Sequence, residues 1–427
     1  MKKLDLAKHR LLFMQLGVAL VCVLALLRQW PSVKEFVAAI DHGDVPGGDF
    51  VFHYYPTARN SIREGAPAGG FFYPAGFAVF LAPLGRLELE PARVLWYLVL
   101  AASVLWTATW VMRAAAPKQP LLAVFGAALY VTSIPVLHDF KWGQVSVLIV
   151  ATGATAFILR AREKQNGAAA LLGVAAAIKM YPLVFIGWFF LRRDWRFVVR
   201  ASIACLVTLV LLPAIVMGPV HALFFQRVAT QSVVGAQDGV LYDFNSQFAP
   251  AVLARYYGGW GVAAKSITDL GQIGAWLALA VIAGLLLLLS QTKAKRITER
   301  RELWAFVLLA STVPFWLKTS WTHYFAHLPV AQVLLASTLV ERRRARDLAI
   351  LVLLVAPSVF LSNVVGLPRA EGWLPYAESG SPFFANLAVL LATALVIVDA
   401  HLFESSRAAS NAASEAVPEE APTTMAA

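Results

Sequence analysis

Residues 167–191 read GAAALLGVAAAIKMYPLVFIGWFFL, an apolar run with a basic loop at each end. Arg160, Arg162 and Lys164 precede it, and Arg192, Arg193 and Arg196 follow it. Loops rich in Lys and Arg stay on the cytoplasmic side of a membrane. The run is long enough for one crossing, but one crossing would carry one of the two basic loops outside. A hairpin of two short helices, broken at Lys179-Met180-Tyr181-Pro182, keeps both ends inside. Each arm is then about 18 Å long at about 1.5 Å per residue, short of a hydrocarbon core about 30 Å thick. The hairpin lifts Lys179 toward the outer half of the membrane and predicts a cavity above its tip.

The rest of the chain fits that frame. Of its 427 residues 59% are hydrophobic and only 14% charged, with 26 Phe and 13 Trp, which excludes an ordinary soluble protein and points to a polytopic membrane protein. Leu11 to Leu27 follows Lys2, Lys3, Lys8 and Arg10 and lacks a small-residue cleavage site, so it reads as a retained anchor. Cys22 and Cys205 both lie in apolar segments, which indicates neither a disulfide framework nor a metal-thiolate site. The net charge of +11 does not point to nucleic acid. It comes in short bursts between apolar runs, the last two at Lys293-Ala294-Lys295-Arg296 and Arg342-Arg343-Arg344, and such bursts mark inner loops. Threading from a cytoplasmic N-terminus leaves the whole excess inside and the outer surface neutral.

The spans that satisfy those loops are 11–30, 94–112, 120–136, 145–160, 167–179, 181–191, 197–218, 271–290, 303–317, 324–340, 348–362 and 383–402. The expected fold is an all-α polytopic bundle of about twelve transmembrane helices over residues 1–403. Residues 404–427 are expected to form a disordered cytoplasmic tail. Segment 71–86 is apolar enough to insert, but counting it would invert every later loop, so it is expected to lie at the outer membrane surface. The outer face is then built from loops 28–93, 137–144, 219–270, 318–323 and 363–382.

Most of the polar residues of interest fall on those loops. Asp49, in Gly47-Gly48-Asp49-Phe50-Val51-Phe52-His53-Tyr54-Tyr55, is a carboxylate among aromatic residues near the bilayer surface. A charge there is either solvated or does chemistry. Pro56 suits the first turn of a helix running to Glu64, with Gly65 just past its end. Asp41 and Asp44 read as ordinary solvated acids. His138, Asp139, Lys141 and Gln144 in the next turn form either a solvated hairpin or a set of hydrogen-bonding groups for a sugar or head group. Lys179 is too far from either basic loop to snorkel, and a lysine at that depth suggests an anion such as phosphate, or else pairing with an Asp. The long loop carries Asp243, Asn245, Gln247 and Arg255. Trp321, His323 and Tyr324 form either an interfacial aromatic belt or part of a site.

Together these residues carry a resemblance. The chain resembles the GT-C glycosyltransferases of family 87, the DUF2029 group that includes polyprenyl-phosphate-mannose-dependent α-1,2-mannosyltransferases. The resemblance covers most of the chain. It rests on the Asp-aromatic loop ending in Arg63-Glu64-Gly65, on Tyr73-Pro74, Gly143-Gln144 and Lys179-x-Tyr181-Pro182, on Arg192-Arg193-x-Trp195-Arg196, and on Trp321-x-His323. Ser146 stands where the family commonly has Asn, and Asn245-Ser246-Gln247-Phe248 replaces an Asn-Gln-Ser-Leu-like motif. The resemblance implies Asp49 as catalytic base, His323 as a second active-site residue and Lys179 as the contact to a lipid phosphate. Tyr73, Gln144, Tyr181, His138, Asp139, Lys141, Gln247, Arg255 and Trp321 complete the expected substrate-binding set.

The expected reaction moves a hexose, taken as mannose, from a polyprenyl-phosphate donor to a hydroxyl of a lipid or glycan acceptor. It takes place at the outer face of the inner (plasma) membrane, inverts the anomeric centre, and uses no cofactor or metal. The expected protein is a monomer with both termini cytoplasmic, whose partners are these substrates and membrane lipids. Two rival classes remain. A transporter or lipid-sugar flippase would show an inverted repeat, and a ligase using a diphosphate lipid would favour an Arg-rich long loop over the lone Arg255.

Overall fold

A computed structural model describes residues 47–240, 245–258, 265–291, 298–363 and 373–415, together with the single helical positions Leu20, Leu24 and Leu27. All of the described elements are helical. Most of the expected first span, Asp41, Asp44, Asp243 and residues 364–372 of loop 363–382 lie outside the described residues.

A wide turn at Phe50–Tyr54 opens into α1 (Tyr55–Glu64), with Pro56 in its first turn and Gly65 at φ +65° just past its end, as the sequence predicts. Next come α2 (Ala75–Leu81), α3 (Leu89–Ala115), α4 (Pro120–Thr132) and α5 (Ile134–Trp142). They are followed by α6 (Ser146–Ala161), α7 (Gln165–Ile178), α8 (Tyr181–Leu191) and α9 (Trp195–Met217). The long loop after α9 supplies α10 (Pro219–Val240) and α11 (Ala249–Gly258). The chain closes with α12 (Lys265–Gln291), α13 (Glu299–Ala310), α14 (Thr322–Arg342), α15 (Ala345–Asn363), α16 (Trp373–Glu378) and α17 (Ser381–Glu415).

Among the described residues six helices are long and apolar enough to cross a membrane: α3, α9, α12, α14, α15 and α17. The pair α4 and α5 makes a seventh if its 41° bend at Ser133 is taken within one span. Pro135, in the first turn of α5, has no N–H to continue the hydrogen-bond ladder, which accounts for the bend. The other expected crossings rest on the shorter helices α6, α7, α8 and α13, or on the segment outside the described residues. α14 is enclosed by protein along its length, whereas α9 is mostly exposed along its side.

The 167–191 segment is two short helices broken at Lys179. Its ends meet: Arg160 pairs with Asp194, and Arg192 pairs with Glu302, which also accepts Trp188 Nε1 at 2.8 Å. Arg162–Glu299 at 2.8 Å, Arg300–Glu341 at 2.7 Å and Arg344–Asp399 at 2.7 Å lie at the same end. The basic bursts among the described residues are therefore gathered at one end of the bundle, away from Lys179.

Segment 71–86 packs most of its residues within the protein and leaves Phe80, Pro83 and Arg86 exposed. α2 is about 10 Å long at about 1.5 Å per residue, and it is buried against α7 and α9. A Cβ on Gly76 would come within 2.5 Å of the Thr208 carbonyl oxygen and 3.1 Å of Ala177. Its apolar character serves protein packing. The segment read as a disordered tail begins as a continuation of α17, which runs to Glu415.

Candidate active site

Two glycines set the position of Asp49. Gly47, at φ +83°, donates its N–H to Lys141 O at 2.8 Å, and a Cβ on Gly48 would come within 3.2 Å of the Trp142 ring. α5 ends at Gly143, φ +68°, where a Cβ would come within 3.1 Å of Gly47 Cα. A left-handed residue without a side chain lets these two backbones touch. Trp96 Nε1 bonds Gly143 O and Tyr97 OH bonds Phe140 O, each at 2.8 Å, and fasten the turn to α3. Asp49 thereby comes to lie beside Gln144.

The Gln144 side chain has its orientation imposed on it. Tyr54 OH lies 2.5 Å from Tyr73 OH, and Tyr73 OH donates to Gln144 Oε1 at 2.7 Å. Each phenol has one hydrogen to give, so the chain runs from Tyr54 to Tyr73 to the Gln144 oxygen. The amide nitrogen is left to donate to the Asp49 carboxylate. Burial raises the Asp49 pKa from 3.8 to about 6, and the nearby positive charges of His53 and Lys179 limit the rise. A carboxylate poised there is ionised at neutral pH yet basic enough to take a proton.

Asp49 opens onto a cavity of about 470 Å³. Tyr73, Gln144, Lys179, Tyr181 and Trp321, all expected from the sequence, line it too. Lys179 is buried, with Nζ 3.8 Å from the Tyr324 ring centroid and 5.4 Å from that of Tyr73. Nζ has no hydrogen-bond partner among the described residues. An ammonium over aromatic faces, acted on by the Asp49 and Asp139 carboxylates through space but bonded to neither, is ready for an anion. Trp321 Nε1 is likewise buried without a partner among the described residues. Met180 and Trp316, on the cavity wall, are 51% and 38% exposed.

The other expected residues do not line the cavity. His323 sits one layer behind, its ring 5.0 Å from that of Tyr324 and 5.6 Å from that of His138, and neither His reaches the wall. Asp139 is buried and caps α6, its oxygens accepting Ser146 N–H at 2.8 Å and Val147 N–H at 3.4 Å. The turn is therefore no solvated hairpin. Lys141 is half-buried, and its carbonyl holds Gly47. Gln247 ties the long loop down, its backbone N–H to Ser320 O and its side chain to Ala377 O, both at 2.7 Å. Arg255 Nε donates to Glu378 O at 3.2 Å. These contacts tie the long loop to segments 73 to 130 residues further along the chain.

Sequence reasoning passed over His53, Tyr54, Gln226, Thr230 and Thr319, all on the cavity wall, and Tyr324, read with Trp321 as belt or site, lines it too. His53 and Tyr54 stood in the quoted Asp49 motif, and their spacing from Asp49 along one turn was the available signal. No group of three or more His, Cys, Asp or Glu that could hold a metal occurs among the described residues.

The family model for glycosyltransferase family 87 matches residues 71–320, more than half of the chain. The chain belongs to glycosyltransferase family 87. The match takes in Tyr73, Gln144, Lys179 and Tyr181, begins after Asp49 and ends before Trp321. The chain is 28% identical over 153 residues to a polyprenol-phosphate-mannose-dependent α-(1-2)-phosphatidylinositol mannoside mannosyltransferase of Mycolicibacterium smegmatis. That alignment covers 32% of this chain and 34% of the relative, about a third of its length. No solved structure matches the chain.

Proposed function

We propose that this family 87 protein transfers a hexose, mannose in the first instance, from a polyprenyl-phosphate donor to an acceptor hydroxyl at the extracytoplasmic face. The observation that carries the reading is that Asp49 and Lys179, far apart in sequence, line one cavity at the end of the bundle opposite the basic loops. With those loops in the cytoplasm, the cavity opens outward. The half-exposed Met180 and Trp316 give it a side accessible to a lipid chain. The relative's name specifies a polyprenol-phosphate-mannose donor, which is the donor class that fits a lone buried ammonium.

The chemistry is one displacement. The acceptor oxygen attacks the anomeric carbon as its proton passes to Asp49, and the bond from that carbon to the phosphate oxygen breaks. The electron pair leaves with the phosphate, whose developing charge Lys179 offsets. A base within hydrogen-bond reach contributes on the order of 10²–10⁴-fold. With no covalent sugar-enzyme intermediate, the anomeric centre inverts. Gln144 keeps the Asp49 carboxylate aimed and ionised.

The test is transfer by membranes given a panel of radiolabelled polyprenyl-phosphate sugars, wild type against Asp49→Asn. Loss of at least a hundredfold with one donor is expected, and full activity in the variant removes Asp49 as base. Orientation is checked by cysteine labelling. A cysteine at Lys164 should react only with a reagent that enters the cell, and one at Gly69 with an impermeant reagent.

A further inference from the structure

His53 lines the cavity but has no part in the displacement described above. It follows Asp49 by four residues on the wide turn Phe50–Tyr54, and the two are close enough to interact electrostatically. Its Nδ1 lies 2.6 Å from Gly69 O. A carbonyl oxygen only accepts, so Nδ1 carries a hydrogen, and in the neutral ring the lone pair is on Nε2. Gly70, at φ +77°, makes room for the ring, since a Cβ there would come within 2.4 Å of His53 Cε1. The Gly69-Gly70 loop thus selects one tautomer and seats the ring beside the base.

The base has to touch the acceptor, whereas Lys179 reaches the cavity from the break between α7 and α8. His53 shares its turn with the base and so belongs to the acceptor half of the site. Resting on the reading above, we propose that His53 Nε2 accepts a hydrogen bond from a second acceptor hydroxyl, adjacent to the one that Asp49 deprotonates. The acceptor is accordingly a polyol, a sugar or cyclitol ring, and not an isolated alcohol. His53 is a positioning and specificity residue: it holds the ring while Asp49 takes the proton. A site that spends a hydrogen bond on a hydroxyl rejects the analogue lacking it.

The experiment uses the full-length protein in membranes with polyprenyl-phosphate mannose and a panel of octyl glycosides, including octyl α-mannoside and its monodeoxy analogues. Wild type should lose about tenfold or more in kcat/KM on one monodeoxy acceptor relative to its parent. His53→Ala should show that loss on the parent acceptor and be indifferent to the same deletion. The change should fall on the acceptor KM and not on the donor KM, and it should persist at pH 8, where Asp49 is ionised in the wild type and well on its basic side. His53→Gln, which keeps an acceptor oxygen, should recover part of the loss. If wild type and His53→Ala discriminate equally among the deoxy acceptors, the assignment to His53 is overturned while the transferase reading stands. If wild type transfers sugar to no acceptor, the transferase reading itself fails.

Discussion

The Gln144 amide nitrogen donates to the Asp49 carboxylate while Tyr73 holds the Gln144 carbonyl oxygen at 2.7 Å. Removing that amide leaves a half-buried carboxylate with one donor fewer. Hydrogen bonds to charged groups contribute about 1.5–3 kcal/mol, and one pKa unit corresponds to about 1.4 kcal/mol. In Gln144→Leu the acid limb of the kcat/KM profile should therefore move up by about one to two pH units. Gln144→Glu sets a second carboxyl against the first and should lose most activity near neutrality. Profiles with an unmoved acid limb in Gln144→Leu would show that this contact does not tune Asp49.

Asp49 also links activity and stability to pH in opposite senses. Burial raises its pKa from 3.8 to about 6, and the base works only when ionised. Transfer should rise with pH through about 6 and level off above it. For stability the folded state holds this proton more tightly than the unfolded chain does. Its favourable contribution is complete below about 4 and is lost as pH rises through about 6. Asp49→Asn, which stays neutral, should melt above wild type at pH 7.5 in detergent and together with it at pH 4. A lower melting temperature for the variant at pH 7.5 would contradict the burial argument.

Lys179 separates binding chemistry from folding. Its ammonium sits buried over the Tyr324 ring without a hydrogen-bond partner among the described residues, and its attraction to the Asp49 and Asp139 carboxylates is set against the cost of burying it. Lys179→Met keeps the aliphatic stem and should fold with an unchanged or higher melting temperature. Transfer should fall by about 10²–10³-fold, the range seen when one group that stabilises transition-state charge is removed. Lys179→Arg should not restore it, because a planar fork differs in shape from a compact ammonium. The readouts are kcat with a polyprenyl-phosphate sugar and a thermal melt on the same preparations.

The hairpin at Lys179 was legible because two basic loops bracket one apolar run that ends each half at a lysine and a proline. The charge pattern likewise separated the two ends of the bundle. The Gln144 network was not legible. Tyr54 and Tyr73 reach Gln144 from 90 and 71 residues away, and no local pattern encodes that meeting. Asp139 misled for a related reason. A carboxylate in a short polar turn looks solvated, yet this one is folded inward to cap the next helix at Ser146. Gln247 and Arg255 looked like substrate ligands because their backbone partners, Ala377 and Glu378, lie 130 and 123 residues on. The family resemblance rested on motifs, and motifs do not say which member faces the cavity: His323 carries one and sits behind Tyr324.

At the opposite end of the bundle the fully buried Glu302 accepts from Arg192 and from Trp188 Nε1 at 2.8 Å, closing the hairpin onto α13. A buried pair contributes little net stability over an apolar replacement, but breaking it leaves one charge stranded, at about 3–5 kcal/mol. Arg192→Ala should therefore lower the melting temperature or the yield of folded protein sharply. Arg192→Leu combined with Glu302→Leu should recover most of that loss, since neither charge is then left alone. If the hairpin is held as described, the double variant should also keep Lys179 in the cavity and retain transfer. A double variant that melts like wild type but has lost transfer would mean that this ion pair sets the position of Lys179 as well as the stability of the fold.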